Sequence, residues 1–357
     1  MKKFGLHKKM AIVIAYSMLI PNIMEAVTYN YGEEVEKAKV QSASFRIGDS
    51  LITQSSPDTI ASICYFELAY KEGVKIAAHK LGVCYYNLGS HYDAFQWYFK
   101  GAELGDVSSI TALGTCYLYG IGTVKDEHKA IELFKKGVEH EYAVAQYNLG
   151  NCYYTGSGVE QNMQRSFEFW LKSAEQGYDE AQNNIGMCYK DGIGVEKDYT
   201  KAALWFEKAA LQGLALAQFN TGSCYLYGEG VEKDLEKAFY WYTKSAEQGN
   251  PLSQYNLAIC YYNSWGVGED LTLAAKWFSK AAIQGHPASQ YNIGIFYMLG
   301  KVFEQNTQQG IYWLTKSANQ GFTDAQNTLG EIYEEGEYVE KDLQKAEYWY
   351  NKAMETK

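Results

Sequence analysis

The sequence is poor in proline, with only 4 in 357 residues, which argues against an extended disordered chain. It is instead rich in side chains that can be buried, since 47% of residues are hydrophobic and 15% are aromatic. Such a composition is typical of a folded chain with a sizeable core.

Positive charge is also in deficit, and the formal net charge is −10 at pH 7. A surface with this excess of carboxylates repels phosphate backbones. We therefore do not expect nucleic acid as a partner.

The chain lacks the short motifs that mark common active sites. No serine is followed three residues later by lysine, and neither GxSxG nor HExxH occurs. The 6 histidines are scattered without metal-ligand spacing. We predict no catalytic residue, no metal site and no cofactor, and hence a protein that is not an enzyme.

No apolar run is long enough to span a bilayer, but residues 1–26 resemble a signal peptide. A basic start is followed by the apolar run Met10 to Ile20, then Pro21, and Ala26 lies at a plausible cleavage point. We expect export to a periplasm or to the outside of the cell. A disordered basic N-terminus is the alternative.

An internal repeat dominates the rest of the chain. Its anchor is a small residue that recurs after one step of 32 and then in steps of 36, at Gly82, Gly114, Gly150, Gly186, Gly222, Ala258, Gly294 and Gly330. The predicted units are 74–105, 106–141, 142–177, 178–213, 214–249, 250–285, 286–321 and 322–357.

Each unit carries two stretches of helical periodicity. Ala181, Ile185 and Cys188 fall on one face of a first helix. The turn GIGVEKD follows, and its aspartate can cap a second helix that ends at Gly213. Because one such hairpin cannot bury enough surface alone, the units are predicted to stack into an all-α solenoid.

A tryptophan recurs on the second helices, and we interpret it as the core layer that links hairpins. Its positions are Trp97, Trp205, Trp241, Trp277, Trp313 and Trp349.

Six of the 7 cysteines lie two residues after an anchor, where the last two units carry Phe296 and Ile332. Equivalent positions in neighbouring hairpins are about 10 Å or more apart, whereas a disulfide needs Cα atoms within about 7 Å. These cysteines are therefore predicted to be buried apolar filler and not disulfides or metal ligands.

The units resemble the Sel1-like repeats, which are relatives of the tetratricopeptide repeats. The resemblance lies in the AQYNLG block (Ala145 to Gly150), the GxGV turn with its following KD, the KA step (Lys201, Ala202) and the KSAEQG close (Lys172 to Gly177). It implies a right-handed α-solenoid that acts as a protein-binding scaffold or adaptor.

The same family includes secreted, cysteine-rich members associated with β-lactam binding or hydrolysis. A related cell-envelope enzyme is therefore the alternative function. Those members look stapled by two cysteines in each repeat, whereas this chain has one, so the match to that branch is incomplete.

Residues 27–73 precede the repeats, and within them 58–72 is predicted to be a degenerate half-unit that caps the first hairpin. At the other end, Trp349 and Tyr350 are expected to be partly uncovered. Self-association through that end is a further hypothesis.

The face of the first helices opposite the core is the predicted binding site, because it would line the concave side of a tetratricopeptide-like superhelix. In units five to seven its candidate partner-binding residues are apolar or aromatic: Phe219, Leu226, Tyr227, Tyr255, Ile259, Tyr262, Tyr291, Ile295 and Met298. In unit eight the same face is acidic, with Asp324, Glu331, Glu334 and Glu335.

This pattern favours a groove for a peptide or an amphipathic helix with apolar anchors and a basic flank near unit eight. The alternative is that neighbouring first helices bury much of this face.

An asparagine series borders this face, at Asn148, Asn184, Asn220, Asn256 and Asn292. These amides either fasten neighbouring helices, which we favour, or hold the backbone of a ligand.

Overall fold

A computed structural model describes residues 32–54 and 58–355, and within these ranges every regular element is a helix. The predicted signal peptide lies outside the described residues. None of the helices in the described part of the chain is both long and apolar enough to cross a membrane. The chain divides into two compact units: unit 1 extends to Tyr178, and unit 2 begins at Asp179.

The helices of unit 1 are α1 (Gly32–Gln41), α2 (Ala43–Ile52), α3 (Thr59–Lys71), α4 (Ile76–Asn87), α5 (His91–Glu103), α6 (Val107–Tyr119), α7 (Glu127–Glu139), α8 (Ala143–Thr155) and α9 (Met163–Glu175). The helices of unit 2 are α10 (Asp179–Asp191), α11 (Tyr199–Leu211), α12 (Ala215–Tyr227), α13 (Leu235–Glu247), α14 (Pro251–Asn263), α15 (Leu271–Ile283), α16 (Pro287–Leu299), α17 (Thr307–Asn319), α18 (Thr323–Glu335) and α19 (Leu343–Glu355).

From α2 onward, consecutive helices pair as hairpins, and within each unit every hairpin packs against the next one in chain order. This tandem arrangement confirms the predicted all-α solenoid fold.

The ends of the helices follow from the turn sequence. Gly228 ends α12 in the left-handed region with φ of 72°, which glycine adopts without strain. The carboxylate of Asp234 then accepts the backbone N–H of Lys237 at 2.9 Å and caps α13. The GEGVEKD stretch therefore stops one helix and starts the next.

The anchor glycine is where the two helices of a hairpin come closest. A Cβ atom added to Gly186 would lie 2.5 Å from the ring of Phe206, and one added to Gly222 would lie 2.8 Å from Tyr242. In both hairpins the ring belongs to a residue 20 positions after the anchor, and it is completely buried. The first helix has no side chain at the anchor, and a large side chain of the second helix fills the space.

The recurring tryptophan lies one residue before this ring and plays a lesser part in the core. Trp241 and Trp349 are buried, whereas the other four predicted positions, Trp97, Trp205, Trp277 and Trp313, are half-buried. Trp241 packs against Ala209, Ala210 and Ala217 of the preceding elements, so it does link hairpins. The neighbouring position is buried in five of these six hairpins, where it is Tyr98, Phe206, Tyr242, Phe278 or Leu314.

A ninth hairpin, formed by α2 and α3, precedes the eight predicted units. Its anchor is Gly48, where an added Cβ would lie 3.0 Å from the ring of Phe66. The predicted capping segment 58–72 matches α3, but its partner α2 was not predicted. Next to the anchor, Asp49 is buried and binds the ammonium groups of Lys39 at 3.0 Å and Lys80 at 2.9 Å.

The repeat cysteines are buried and free, which confirms that they fill the core. Burial raises the pKa of the thiol to about 11 in Cys224 and to about 12 in Cys84, Cys116, Cys152, Cys188 and Cys260. Such thiols remain protonated at neutral pH and are poor nucleophiles and poor metal ligands.

The expectation that Trp349 is uncovered was wrong. Its side chain is only 8% exposed, because it packs into a cluster with Leu314, Leu329 and Ile332. Tyr350 is half-buried, lies on Gly330 and donates a hydrogen bond to Glu334. Tyr350 is thus partly uncovered as expected and Trp349 is not, and self-association through this end stays a prediction.

The anchor glycine can be tested with Gly186→Ala. Alanine gains roughly 1 kcal/mol in an isolated helix, but forcing a methyl group against Phe206 costs more, so we expect a net loss of about 1 to 2 kcal/mol in the free energy of unfolding. Gly268→Ala is the matched control, because an added Cβ meets nothing within 4 Å there. Urea unfolding measures the free energy of unfolding of both variants. Equal stability of the two variants would contradict a close contact between the anchor glycine and the ring of Phe206.

Candidate functional site

The predicted binding residues lie on the first helices α12, α14, α16 and α18 of unit 2, and we call this surface the inner face. Its nine apolar and aromatic members differ in accessibility. Leu226, Ile259 and Met298 are only 6%, 8% and 3% exposed. They belong to the core and are not available to a ligand.

The remaining members are accessible to different degrees. Tyr227 is 53% exposed. The half-buried ones are Phe219, Tyr255, Tyr262, Tyr291 and Ile295. The alternative considered from the sequence, that neighbouring first helices bury part of this face, is therefore correct for a third of the predicted anchors.

Tyr255 lies at the middle of the inner face. Its ring packs against His286, with ring centroids 4.7 Å apart, and against Phe278 at 5.8 Å. Burial raises the pKa of the phenol to about 12, and the nearby Tyr227 and Asp324 contribute to the same increase. One ring is therefore within electrostatic range of side chains on α12 and on α18.

Tyr291 continues the inner face toward α18. Its ring packs against Phe322 with centroids 5.5 Å apart. Burial raises the pKa of the phenol, a hydrogen bond with Thr328 lowers it, and the carboxylates of Asp324 and Glu331 raise it. Tyr291 therefore lies beside the start of α18, the helix that carries the acidic residues.

The acidic flank consists of exposed carboxylates on α18: Asp324, Glu331, Glu334 and Glu335. Burial raises the pKa of Glu331, and repulsion from Glu335 and Glu334 adds to the increase. Among residues 58–355, no ion pair involves any of these four side chains. Within that range, the carboxylates at this end of the inner face are paired with no lysine or arginine, and Glu334 accepts a hydrogen bond from Tyr350.

At the opposite end of the inner face, a lysine and a glutamate form an ion pair. Lys190 on α10 and Glu229 in the turn after α12 form an ion pair with an N to O distance of 3.1 Å. Both groups influence the pKa of Tyr227, and its increase is caused mainly by burial.

The asparagine series connects helices where its hydrogen bonds are seen. The side-chain amide of Asn220 donates to Asn183 on the preceding first helix at 2.8 Å, and that of Asn148 donates to Thr115 at 3.5 Å. Asn292 donates to the carbonyl of Ala288 in its own helix at 2.7 Å. Asn184 and Asn256 are buried. These contacts favour the fastening role over ligand binding.

A glutamine series, which the sequence analysis did not single out, also fastens the hairpins. Gln254 donates to the carbonyl of Ala246, at the end of the preceding hairpin, at 3.3 Å. Its own carbonyl oxygen accepts from Gln284 at 2.8 Å. Gln218 and Gln290 repeat both bonds. The signal was present in the sequence, because the Gln of AQYNLG recurs 30 residues before the Gln of SAEQG.

In the described part of the chain, no group of three His, Cys, Asp or Glu side chains has an arrangement that could hold a metal ion. The polar side chains that repeat from hairpin to hairpin bind one another or the backbone. The inner face of unit 2 differs in that it combines accessible aromatic rings with exposed carboxylates.

Comparison with known proteins places the repeats in a family. The family model described as Sel1 repeat matches residues 75–106, 107–142, 143–178, 179–214, 215–250, 251–286, 287–322 and 323–355. No curated protein is similar enough to count as a relative.

Two solved structures are similar in sequence and in fold. One is c5321, a protective antigen present in uropathogenic Escherichia coli strains that displays an SLR fold, with 33% identity and a TM-score of 0.70. The match covers 82% of this chain and 64% of that chain, so this chain spans less than two thirds of that antigen. The other is a Sel1 repeat protein from Oxalobacter formigenes, with 30% identity, a TM-score of 0.59, and coverage of 82% of this chain and 86% of that chain.

His286, which packs on Tyr255, makes unit 2 sensitive to acid. Its Nδ1 accepts the backbone N–H of Ser289 at 3.2 Å and caps α16. Burial lowers the pKa of the imidazole from 6.5 to about 4. Between these two pH values the unfolded chain binds a proton that the folded chain does not, so stability falls as pH decreases, by up to about 1.4 kcal/mol per pH unit.

His286→Asn should reduce this loss. Asn250 occupies the equivalent position before α14 and caps it by accepting the N–H of Ser253 at 2.9 Å, so asparagine preserves the cap without titrating. Urea unfolding at pH 7.5, 6, 5 and 4 should show a shallower decline with falling pH for the variant, whose loss of the ring contact with Tyr255 lowers stability equally at every pH. Parallel pH profiles would show that His286 does not titrate as described.

Proposed function

Because the chain belongs to the Sel1 repeat family, whose members typically act as protein–protein interaction scaffolds, we propose that it is a non-catalytic scaffold that binds a partner on the inner face of unit 2. In tandem-repeat proteins, each hairpin contributes a few side chains to an extended recognition surface. The partner identified by this chemistry is another protein or a segment of one.

The observation that carries the proposal is the continuity of tyrosines and carboxylates along the inner face. Tyr255 packs against His286, which caps α16, and Tyr291 on α16 packs against Phe322 at the start of α18, the helix that carries the acidic flank. Accessible aromatic side chains are the type most enriched at the energetic centres of protein interfaces. A ligand that covers these rings also reaches the acidic flank.

The acidic flank specifies part of the partner. Glu331 is partly desolvated and lies close to two other glutamates, so its charge is energetically unfavourable in the unbound chain. A lysine or arginine of a ligand would relieve this repulsion and form charge-assisted hydrogen bonds. The proposed ligand is thus a peptide segment with apolar residues next to a basic flank.

The binding surface can be tested with peptides selected from a random twelve-residue library on the full-length chain. The double substitution Tyr255→Ala and Tyr291→Ala removes two interface rings and should weaken binding at least roughly 30-fold, at about 1 to 2 kcal/mol for each ring. Tyr240→Ala with Tyr312→Ala is the matched control, because these tyrosines are about half exposed on second helices. Fluorescence anisotropy measures affinity, and circular dichroism verifies folding.

Equal losses in the two double variants, or no loss in either, would contradict a binding site on the inner face. A triple charge removal, Glu331→Gln, Glu334→Gln and Glu335→Gln, extends the test to the acidic flank. It should reduce both the affinity and its dependence on salt, because it removes the attraction to the basic flank.

We also propose that the scaffold is exported, on the basis of the basic and apolar pattern in residues 1–26. When the full sequence is expressed in a bacterium, the exported chain should begin at Val27, as determined by N-terminal sequencing of the extracytoplasmic fraction. Ile14→Asp interrupts the apolar run and should keep the chain uncleaved in the cytoplasm. An intact Met1 in the exported fraction would contradict cleavage.

A further inference from the structure

One side of α3, the second helix of the first hairpin, is apolar and uncovered. Ile60 is 70% exposed and Leu68 is 47% exposed, and Cys64 between them is exposed as well. Because residues four positions apart lie above one another on a helix, these three side chains form one row, which we call the α3 stripe.

The α3 stripe departs from a pattern that the other eight second helices share. Leu68 lies two residues after Phe66, the ring that packs on the anchor Gly48. The residue at this position is an exposed lysine in every later hairpin: Lys100, Lys136, Lys172, Lys208, Lys244, Lys280, Lys316 and Lys352. The position of Ile60 is polar in all five hairpins of unit 2, where it is Thr200, Glu236, Thr272, Gln308 or Gln344. The fold thus keeps this face solvated elsewhere, and α3 is the exception.

The neighbouring second helix, α5, adds two exposed aromatic rings. The ring of Tyr70 on α3 packs against that of Trp97 on α5, with centroids 5.2 Å apart, so the two helices lie side by side. On α5, Tyr92 is 66% exposed and Phe99 is 41% exposed. Several uncovered apolar side chains on adjacent helices are typical of a surface that contacts another protein.

The α3 stripe is complementary to itself. Cys64 lies at its centre, with one large alkyl side chain four residues before it and another four residues after it. If a second copy lies antiparallel with a two-fold axis at Cys64, each Ile60 contacts the partner's Leu68. Cysteine is small, so the two helices can approach closely where they cross.

The charges at the two ends of α3 are complementary in the same arrangement. Asp58 at its start and Lys71 in its last turn are both exposed. The Asp58 carboxylate accepts the backbone N–H of Ala61 at 2.9 Å, which holds it at the beginning of the helix. In the antiparallel pair each Lys71 lies beside the partner's Asp58, whereas a parallel pair would place like charges together.

We propose that the chain forms a two-fold symmetric dimer in which the α3 stripes of two copies pack antiparallel, with Cys64 beside the partner's Cys64. The occupant of this surface is a second copy of the same chain. A standard stable interface buries about 800 Å² on each partner, and one helix with two neighbouring rings offers less, so we expect a dissociation constant of roughly 10 to 100 µM. This dimer involves unit 1 and does not depend on the inner face of unit 2.

Sedimentation equilibrium of the full-length chain, with a reducing agent present, measures the association. The double substitution Ile60→Thr and Leu68→Lys gives α3 the residues that α11 carries as Thr200 and Lys208, so the fold should be retained. It should raise the dissociation constant of the dimer at least tenfold, because it removes the apolar contacts and places two lysines in the interface. Leu204→Lys is the matched control, since Leu204 is 52% exposed on α11, and it should leave the dissociation constant unchanged.

A short bismaleimide, which joins two thiols, tests the position of the two-fold axis. Cys64 is exposed and the other six cysteines are buried, so the reagent should link Cys64 to the partner's Cys64 and give a covalent dimer. Cys64→Ser should abolish this product, and Ile60→Thr with Leu68→Lys should reduce it at least fivefold at the same concentration. Circular dichroism verifies that each variant is folded.

Three results would overturn the proposal. The first is a monomer at every concentration up to several times the expected dissociation constant. The second is a dimer whose dissociation constant is the same in the native chain and in the Ile60→Thr and Leu68→Lys variant, because another surface would then hold it together. The third is a dimer that the bismaleimide does not link, since Cys64 would then lie away from the axis.

Discussion

The close contact between a side-chain-free anchor on the first helix and a large side chain on the second is the constraint on which the molecule depends. At Gly186 there is no room for a methyl group beside Phe206, so the two helices of the hairpin can approach only where the sequence supplies glycine. The one natural exception is Ala258, which is fully buried in the cluster that contains Phe278. A contact of this kind recurs in other hairpins, at Gly114 with Phe134, Gly150 with Trp170 and Gly222 with Tyr242.

Polar side chains complete the assembly. Gln254 is bonded to the preceding hairpin and to the second helix of its own hairpin, which satisfies buried polar groups while it fixes the stacking. Asn220 makes a similar bond to Asn183 on the preceding first helix. The residues that recur in each unit thus contribute to the packing between hairpins, whereas the accessible positions of the first helices vary from unit to unit.

Much of the fold was predictable from the sequence because its causes are local and repeated. The GEGVEKD turn specifies a glycine end and an aspartate cap, and the periodic cysteines specify a buried apolar position. The hairpin of α2 and α3 escaped prediction because Gly48 and Phe66 are 18 residues apart, whereas the later anchors and their rings are mostly 20 apart, and the AQYNLG block is absent. The acidic flank was predicted correctly as an exposed surface.

The candidate site was predictable only in outline. Helical spacing places Leu226, Ile259 and Met298 on the same face as Tyr255, but it does not specify how closely successive first helices pack, and that packing decides which side chains are covered. Which of these side chains are accessible therefore emerges only in three dimensions. The sequence also did not show which of two neighbouring aromatic residues contacts the anchor glycine. Tyr242 contacts Gly222, whereas Trp241 packs against the preceding helices.

The anchor contact and the glutamine bonds are alike in successive hairpins. Each hairpin can therefore be regarded as a structural module. A duplicated or transplanted 36-residue segment would meet the same seams on either side and would bring its own inner-face residues with it. Recombination of whole modules would therefore change the inner-face residues without changing the interior one substitution at a time.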